Sequence, residues 1–89
     1  MKAVVTVVGK DKTGIIAKVS GYLYDNNINI LDISQTIMQD IFTMITLIDA
    51  TESKVDIAEI RAGLEKVGEE LGVSISVQRE DLFNSMHRI

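Results

Sequence analysis

One stretch decides the fold of this chain: Val4-Val5-Thr6-Val7-Val8-Gly9-Lys10-Asp11-Lys12-Thr13-Gly14-Ile15-Ile16-Ala17-Lys18-Val19. Its first part belongs to an apolar segment, residues 3–8, that is aliphatic on both faces apart from Thr6, as in a buried strand. A short polar turn follows, bracketed by Gly9 and Gly14, and Thr13 stands where a helix N-cap is expected. Such a turn presents free backbone N–H groups at a helix N-terminus. The sequence therefore predicts a place that holds an anionic group such as a carboxylate.

The segments outward from this turn predict a β-α-β-β-α-β order. The predicted strands cover residues 3–8, 28–38, 42–49 and 73–78, and the first helix covers about residues 14–26. Ile15, Val19 and Leu23 form the buried stripe of that helix, and the second helix lies between an Asp56 cap and Gly72. Because crossovers are right-handed, both helices fall on one face of a four-stranded antiparallel sheet in the order 4-1-3-2. The predicted class is α+β, a ferredoxin-like βαββαβ sandwich.

Composition excludes several classes of function. The chain has 89 residues, enough for one domain, and 46% of them are hydrophobic, which excludes a disordered chain. It has no cysteine, which excludes disulfides and thiolate metal sites. No segment reaches the ~20 apolar residues of a membrane span. A net charge of −4 and an aromatic content of 4% argue against nucleic acid binding. We therefore expect a cytoplasmic protein.

The residues that catalysis requires are missing from the pattern. His87 is the only histidine, and the sequence offers neither a Ser/His/Asp set nor a cysteine nucleophile. The first turn carries Lys10 and Lys12, whereas a phosphate-hydrolysing enzyme of this fold needs an arginine there. The sequence therefore predicts no enzyme, no metal site and no cofactor. It favours a ligand-binding or assembly module.

Three separated motifs resemble those of the ACT domain, a small regulatory module that binds amino acids in many biosynthetic enzymes. They are, in order, the turn within residues 7–19, then Asn26-Asn27-Ile28-Asn29-Ile30, then Phe42-Thr43-Met44. They look like the family's D-x-P-G-[IL]-[IL] turn, its N-x-N-I strand entry and its F-x-M strand, with Thr13 where many members have proline. The resemblance predicts an ACT domain at residues 1–79 and a short helical tail at 80–89 within the same domain. That tail is similar to the ending of single-domain bacterial and archaeal ACT proteins, which are related to the ACT domains of the glycine-cleavage repressor.

The resemblance implies a ligand at the seam of a homodimer formed through the second strand and the first helix. The residues that it places there are Gly9, Lys10, Asp11, Thr13, Gly14, Ile15, Asn29 and Ile30. Backbone N–H groups of the turn would receive a carboxylate, Asp11 would take an ammonium group, and Asn29 would add a polar contact. A purely structural interpretation stays open, since both glycines can serve the turn geometry and Asn29 can bond the start of its strand.

Two functions are compatible with this resemblance. The first is a sensor, a homodimer that binds an amino acid or a similar small metabolite and signals to a protein partner. The second is a structural adaptor that keeps the dimer without a ligand. Four apolar residues in the tail either dock a partner or cover the sheet face that the helices leave bare. They are Leu82, Phe83, Met86 and Ile89.

Overall fold

The computed structural model describes residues 1–10 and 14–81 and confirms the predicted order of elements. The elements are β1 Lys2–Lys10, α1 Ile15–Asp25, β2 Asn29–Met38, β3 Ile41–Asp49, α2 Ile57–Leu71 and β4 Ser74–Arg79. Their bounds differ from the predicted ones by one or two residues at several ends. One difference concerns the first turn, because Gly9 lies inside β1 rather than at the start of the turn.

The four strands form one antiparallel sheet in the order β2-β3-β1-β4, which confirms the predicted topology. The two central strands run side by side from Lys2 opposite Asp49 to Lys10 opposite Ile41. The hairpin between β2 and β3 turns at residues 39–40, where Gln39 takes a φ of 58° in place of the glycine that such a turn usually contains.

The start of α1 corrects one prediction. The N-cap residue is Gly14, with a φ of 93° and no side-chain cap, so the expectation of a Thr13 cap is wrong. The backbone takes a left-handed conformation immediately before Ile15, and glycine accommodates that conformation without steric cost. Thr13 itself lies outside the described residues. At the other end of the helix, Asn27 takes a φ of 60°, as its residue type predicts.

Both helices pack on the same face of the sheet. Ile15, Val19 and Leu23 of α1 and Ile60 and Leu64 of α2 are buried there, at 2% exposure or less. The strand side chains in this core are Ala3, Val5, Val7, Phe42, Met44, Ile48, Ile75 and Val77. The caps of α2 are as predicted: the Asp56 carboxylate accepts the Glu59 N–H at 2.9 Å, and Gly72 ends the helix with a φ of 72°.

The opposite side of the sheet, here called the open face, carries the alternate residues of each strand. Its apolar members are Val4, Val8, Met38, Ile41, Ile45 and Leu47. Neither described helix packs on this face, because the buried stripes of α1 and α2 both belong to the core on the other side.

Candidate functional site

A shallow depression lies where α1 begins, next to the start of β3. It is lined by Gly14, Ile15, Ile16, Ala17 and Phe42. The first intrahelical hydrogen bond runs from the Lys18 N–H to the Gly14 carbonyl at 2.9 Å. The N–H groups of the preceding helical residues therefore have no partner within the helix, and the N-cap residue Gly14 has no side chain to cap them. We call this place the α1 depression.

The backbone at Gly14 has space beside it. A Cβ atom added at this position would meet no heavy atom of the described residues within 4 Å, its chain neighbours apart. The glycine is thus explained by its φ of 93° and not by crowding inside the chain. Backbone N–H donors at a helix N-terminus, with apolar walls beside them, can receive the carboxylate of a small molecule and shelter an apolar part of it.

Gly9 has a packing role within the chain. A Cβ atom here would lie 2.9 Å from the Cβ of Val73, closer than real Cβ contacts allow. Val73 follows α2, so Gly9 lets that connection pack against β1. Gly9 also pairs with Phe42 across the sheet, which keeps it next to the α1 depression. Lys10 ends β1 and is exposed, whereas Asp11 and Thr13 lie outside the described residues.

The structure separates the two remaining predicted residues from the α1 depression. Asn29 and Ile30 begin β2, where Asn29 pairs with Asp49. Phe42 lies at the other end of β3, seven residues away from Asp49, which is about 23 Å at the usual ~3.3 Å per residue. Within one chain, Asn29 and Ile30 therefore do not meet Gly14 and Ile15.

The edge strand β2 is the most exposed element of the described chain, since each of its ten residues is exposed to solvent. Ile30, Ile33 and Ile37 lie on the face that belongs to the core further along the sheet, at 41%, 38% and 59% exposure. A bulge leaves Leu31 unpaired, and the next residue, Asp32, accepts the Ile33 N–H through Oδ1 at 2.9 Å. An apolar stripe with a carboxylate beside the backbone thus lines this edge.

Sequence reasoning missed three residues of the α1 depression as site residues: Ile16, Ala17 and Phe42. Ile16 carries a readable signal, because it is a large apolar residue off the buried stripe and is 42% exposed. Phe42 belongs to the F-x-M motif, but its position beside Gly14 depends on the pairing of β3 with β1 and on the packing of α1 above them. Spacing along the chain does not reveal that position.

Two side chains with shifted pKa values lie away from the α1 depression. The Thr51 hydroxyl donates to Asp49 Oδ1 at 2.6 Å and, together with the Thr51 N–H, lowers the pKa of that carboxyl. Burial, with a smaller contribution from the charge of Glu59, raises the pKa of Tyr22, whose hydroxyl donates to the Glu59 carbonyl at 3.1 Å.

Within residues 1–10 and 14–81, no group of three or more His, Asp and Glu side chains could hold a metal ion. In the same ranges, no helix is long and apolar enough to cross a membrane.

Comparison with known proteins supports the resemblance to the ACT domain. The family model of the ACT domain matches residues 2–78. A UPF0237 protein from Methanocaldococcus jannaschii is 57% identical over 88 residues, which cover 99% of this chain and 98% of that protein.

Solved structures show the same fold. An ACT domain protein from Streptococcus pneumoniae is 43% identical, with a TM-score of 0.82 over 93% of both chains. A putative glycine cleavage system transcriptional repressor is similar in fold, with a TM-score of 0.74 and 23% identity over 86% of this chain and 44% of that one. The chain belongs to the ACT domain family, among the single-domain UPF0237 proteins of archaea and bacteria.

Proposed function

We propose that this chain is a regulatory module that binds an amino acid, or a similar small metabolite, at the seam of a homodimer and signals to a partner protein. The observation that supports the proposal is the α1 depression, a helix N-terminus whose N-cap residue is a glycine, with apolar walls beside an exposed edge strand. ACT domains typically bind small molecules in regulatory roles. The proposal places the protein in the cytoplasm and requires no nucleic acid, membrane, metal or cofactor.

The separation of Asn29 from Gly14 supports a dimeric site. If two copies of β2 pair antiparallel about a twofold axis, residue 29 of one copy lies near residue 38 of the other. In each chain that end of β2 lies next to Phe42, because Ile37 pairs with Phe42. A side-by-side dimer would therefore bring Asn29 and Ile30 of one copy to the α1 depression of the other.

The chemistry of the depression favours a ligand with a carboxylate and an apolar portion. The backbone donors suit the carboxylate, while Ile16 and Phe42 suit apolar atoms. The exposed side chains of Lys10 and Lys18 lie at the end of β1 and on the second turn of α1, which adds positive charge around an anion in a protein of net charge −4. Asp11 would take the ammonium group of an amino acid.

The second candidate, an adaptor dimer without a ligand, rests on the same bare strand. The apolar stripe on β2 is sufficient reason for a dimer. Because ligand binding is the feature that separates the two candidates, the experiment measures ligand binding and the oligomeric state in the same protein.

A thermal-shift screen against the common amino acids and several nucleotides tests ligand binding. A ligand specific for the folded state stabilises it by about 2.7 kcal/mol at 100 times its dissociation constant. We expect a shift of the melting temperature with an amino acid, and we expect Asp11→Ala and Ile16→Glu to remove it. Glu69→Ala, on the exposed side of α2, is the control. No shift in a protein that is a stable dimer would transfer the assignment to the adaptor.

Analytical ultracentrifugation tests the dimer. Ile33→Glu on β2 is expected to yield monomers, since it places a charge in the apolar stripe. Ile45→Glu on the open face is the matched control, because the two isoleucines are 38% and 41% exposed. Equal dissociation by both variants, or by neither, would contradict a seam at β2.

A further inference from the structure

We propose that Arg61 of α2 closes the β4 edge of the sheet to strand pairing with a second copy of this chain. The inference goes beyond the proposed function, since it needs neither a ligand nor a signalling partner. It rests on the hydrogen bonds of Arg61, on the residue pattern of β4 and on the contrast between the two outer strands. The predicted helical tail at residues 82–89 lies outside the described residues, and the inference does not use it.

The Arg61 guanidinium is bound to the backbone of β4. Its Nε and Nη2 atoms both donate to the Val77 carbonyl, at 3.2 and 3.1 Å. Arg61 is exposed, whereas Ile60 and Leu64 of the same helix are fully buried, so its side chain runs along the solvent side of α2 to the strand. Within residues 1–10 and 14–81, no other side chain is hydrogen-bonded to the backbone of β4.

The Val77 carbonyl belongs to the outer row of backbone groups on β4. This strand is the last of the sheet and has β1 on one side. In an antiparallel ladder the direction of the backbone groups alternates, so every second residue of β4 directs both of its groups away from β1. A carbonyl that accepts from an exposed helix side chain is on that outer side, and Ile75, two residues earlier, shares its direction. These are the groups with which a further strand would pair.

The sequence of β4 favours pairing with another strand. Residues 73–78 read Val-Ser-Ile-Ser-Val-Gln and contain no charge, no proline and no glycine. Uncharged segments of about six residues with high β-propensity are the ones that pair between chains. Charges begin at Arg79, whose guanidinium lies 3.5 Å from the Asp81 carboxylate. The strand itself therefore lacks protection over most of its length, and the Arg61 charge supplies it.

A second copy that approached this edge would meet two obstacles. Pairing would take the Val77 carbonyl away from Arg61, so each copy would lose both hydrogen bonds of the guanidinium. An antiparallel pair of β4 strands about a twofold axis would also bring both α2 helices, and with them both Arg61 charges, to the same side of the seam. Charged side chains at an edge keep sheets from pairing in this way.

The β2 edge has no corresponding cation in the described chain. Its ten residues are exposed, and the side-chain hydrogen bond to its backbone comes from Asp32, which lies in β2 itself and accepts the Ile33 N–H. No helix side chain of residues 14–81 donates to a β2 carbonyl. One arginine thus distinguishes the two edges, and its removal should make β4 available for pairing.

Sedimentation of Arg61→Ala tests the proposal. Alanine keeps the helix but cannot reach the Val77 carbonyl, so we expect the average mass to rise about twofold or more above that of the unmodified protein. Lys66→Ala is the matched control, because it removes one exposed positive charge from the same helix and should leave the mass unchanged. An unchanged mass for Arg61→Ala, or an equal rise for Lys66→Ala, would overturn the proposal.

A second substitution locates the new contact. Ser76 is exposed in the middle of β4, so Ser76→Lys brings two like charges close together across a pair of β4 strands. We expect Ser76→Lys to return Arg61→Ala to the mass of the unmodified protein. Glu52→Gln, which makes the same change in net charge on an exposed loop, should leave the association intact. Association that persists with Ser76→Lys would show a contact elsewhere and would also overturn the proposal.

Amide hydrogen exchange reads the pairing directly. In Arg61→Ala, the outward N–H groups of Ile75 and Val77 should exchange about tenfold or more slowly than in the unmodified protein, because a second strand protects them. The same slowing is expected in the Ile33→Glu background, since pairing at β4 does not need β2. Equal exchange at Ile75 and Val77 with and without Arg61 would contradict a closed edge.

Discussion

The two edges of the sheet differ in how the chain treats them. At β4, Ile75 and Val77 are buried beneath α2, and the Arg61 side chain of that helix donates to the Val77 carbonyl at 3.1 and 3.2 Å. At β2, all ten residues are exposed, and the isoleucine stripe has no helix above it. An exposed edge strand is a template for pairing with another chain. The chain covers one edge with its own residues, whereas the proposed dimer would cover the other.

The largest expected effect on stability comes from replacing a leucine by alanine in α2, and the same replacement in β2 gives the comparison. Leu64→Ala removes a fully buried side chain from α2 above the sheet and should destabilise the fold by about 2–5 kcal/mol. Leu31→Ala changes a side chain that is 46% exposed at the β2 bulge and should alter stability by no more than about 0.5 kcal/mol. Urea unfolding, monitored at a fixed protein concentration, measures both. Similar losses would show that β2 is as well packed as the core.

The order of the elements was readable from the sequence because each element carries its own periodicity. The Ile15, Val19 and Leu23 stripe and the Asp56 and Gly72 caps are local signals, and the structure confirms all of them. With two β-α-β units, right-handed crossovers leave few topologies, so the strand order followed.

The candidate site was harder to predict from the sequence, because its residues come from separate elements. The α1 depression includes Phe42, whose place depends on strand pairing, while Gly9 is explained by Val73, which is distant in sequence. Thr13 and Gly14 both suit a helix start. Gly14 takes the left-handed conformation, and the residue types alone do not decide between the two positions.

Substitutions at Gly63 in α2 and Gly21 in α1 test how tightly the two helices pack against each other. A Cβ atom at Gly63 would overlap the Tyr22 ring of α1, so Gly63→Ala should destabilise the fold by about 1–2 kcal/mol. At Gly21, inside α1, a Cβ atom would meet no other described residue within 4 Å beyond the backbone of its own helix. Gly21→Ala should therefore stabilise the fold by about 0.5–1 kcal/mol. Thermal unfolding gives both signs. Stabilisation by both changes would mean that the helices move apart at little cost.

Thr46 lies where the covered region meets β2, between Val5 and Ile33. It is 1% exposed, and its hydroxyl has no hydrogen-bond partner among residues 1–10 and 14–81. Thr46→Val keeps the shape and removes the unpaired group, so it should stabilise the fold by about 1 kcal/mol. Thr43→Val, at a half-exposed position of the same strand, is the control and should have little effect. Destabilisation by Thr46→Val would reveal that the hydroxyl has a partner in solution.

The smallest expected effect is a dependence of stability on alkaline pH at the contact between the helices. Burial raises the pKa of Tyr22, so the folded protein holds the phenol proton more tightly than the unfolded chain does. Below about pH 10, the ordinary pKa of tyrosine, both states keep the proton and the effect is absent. As the pH rises further, the unfolded chain loses its proton first, and stability falls until the folded pKa is reached.

Tyr22→Phe should remove this decline, together with the hydrogen bond to the Glu59 carbonyl. Tyr24→Phe, at an 83% exposed position two residues away, should leave the decline intact. Urea midpoints between pH 8 and 11 compare the three proteins on the scale where tyrosine titrates. An unchanged decline in Tyr22→Phe would show that the contact between α1 and α2 does not bury this phenol in solution.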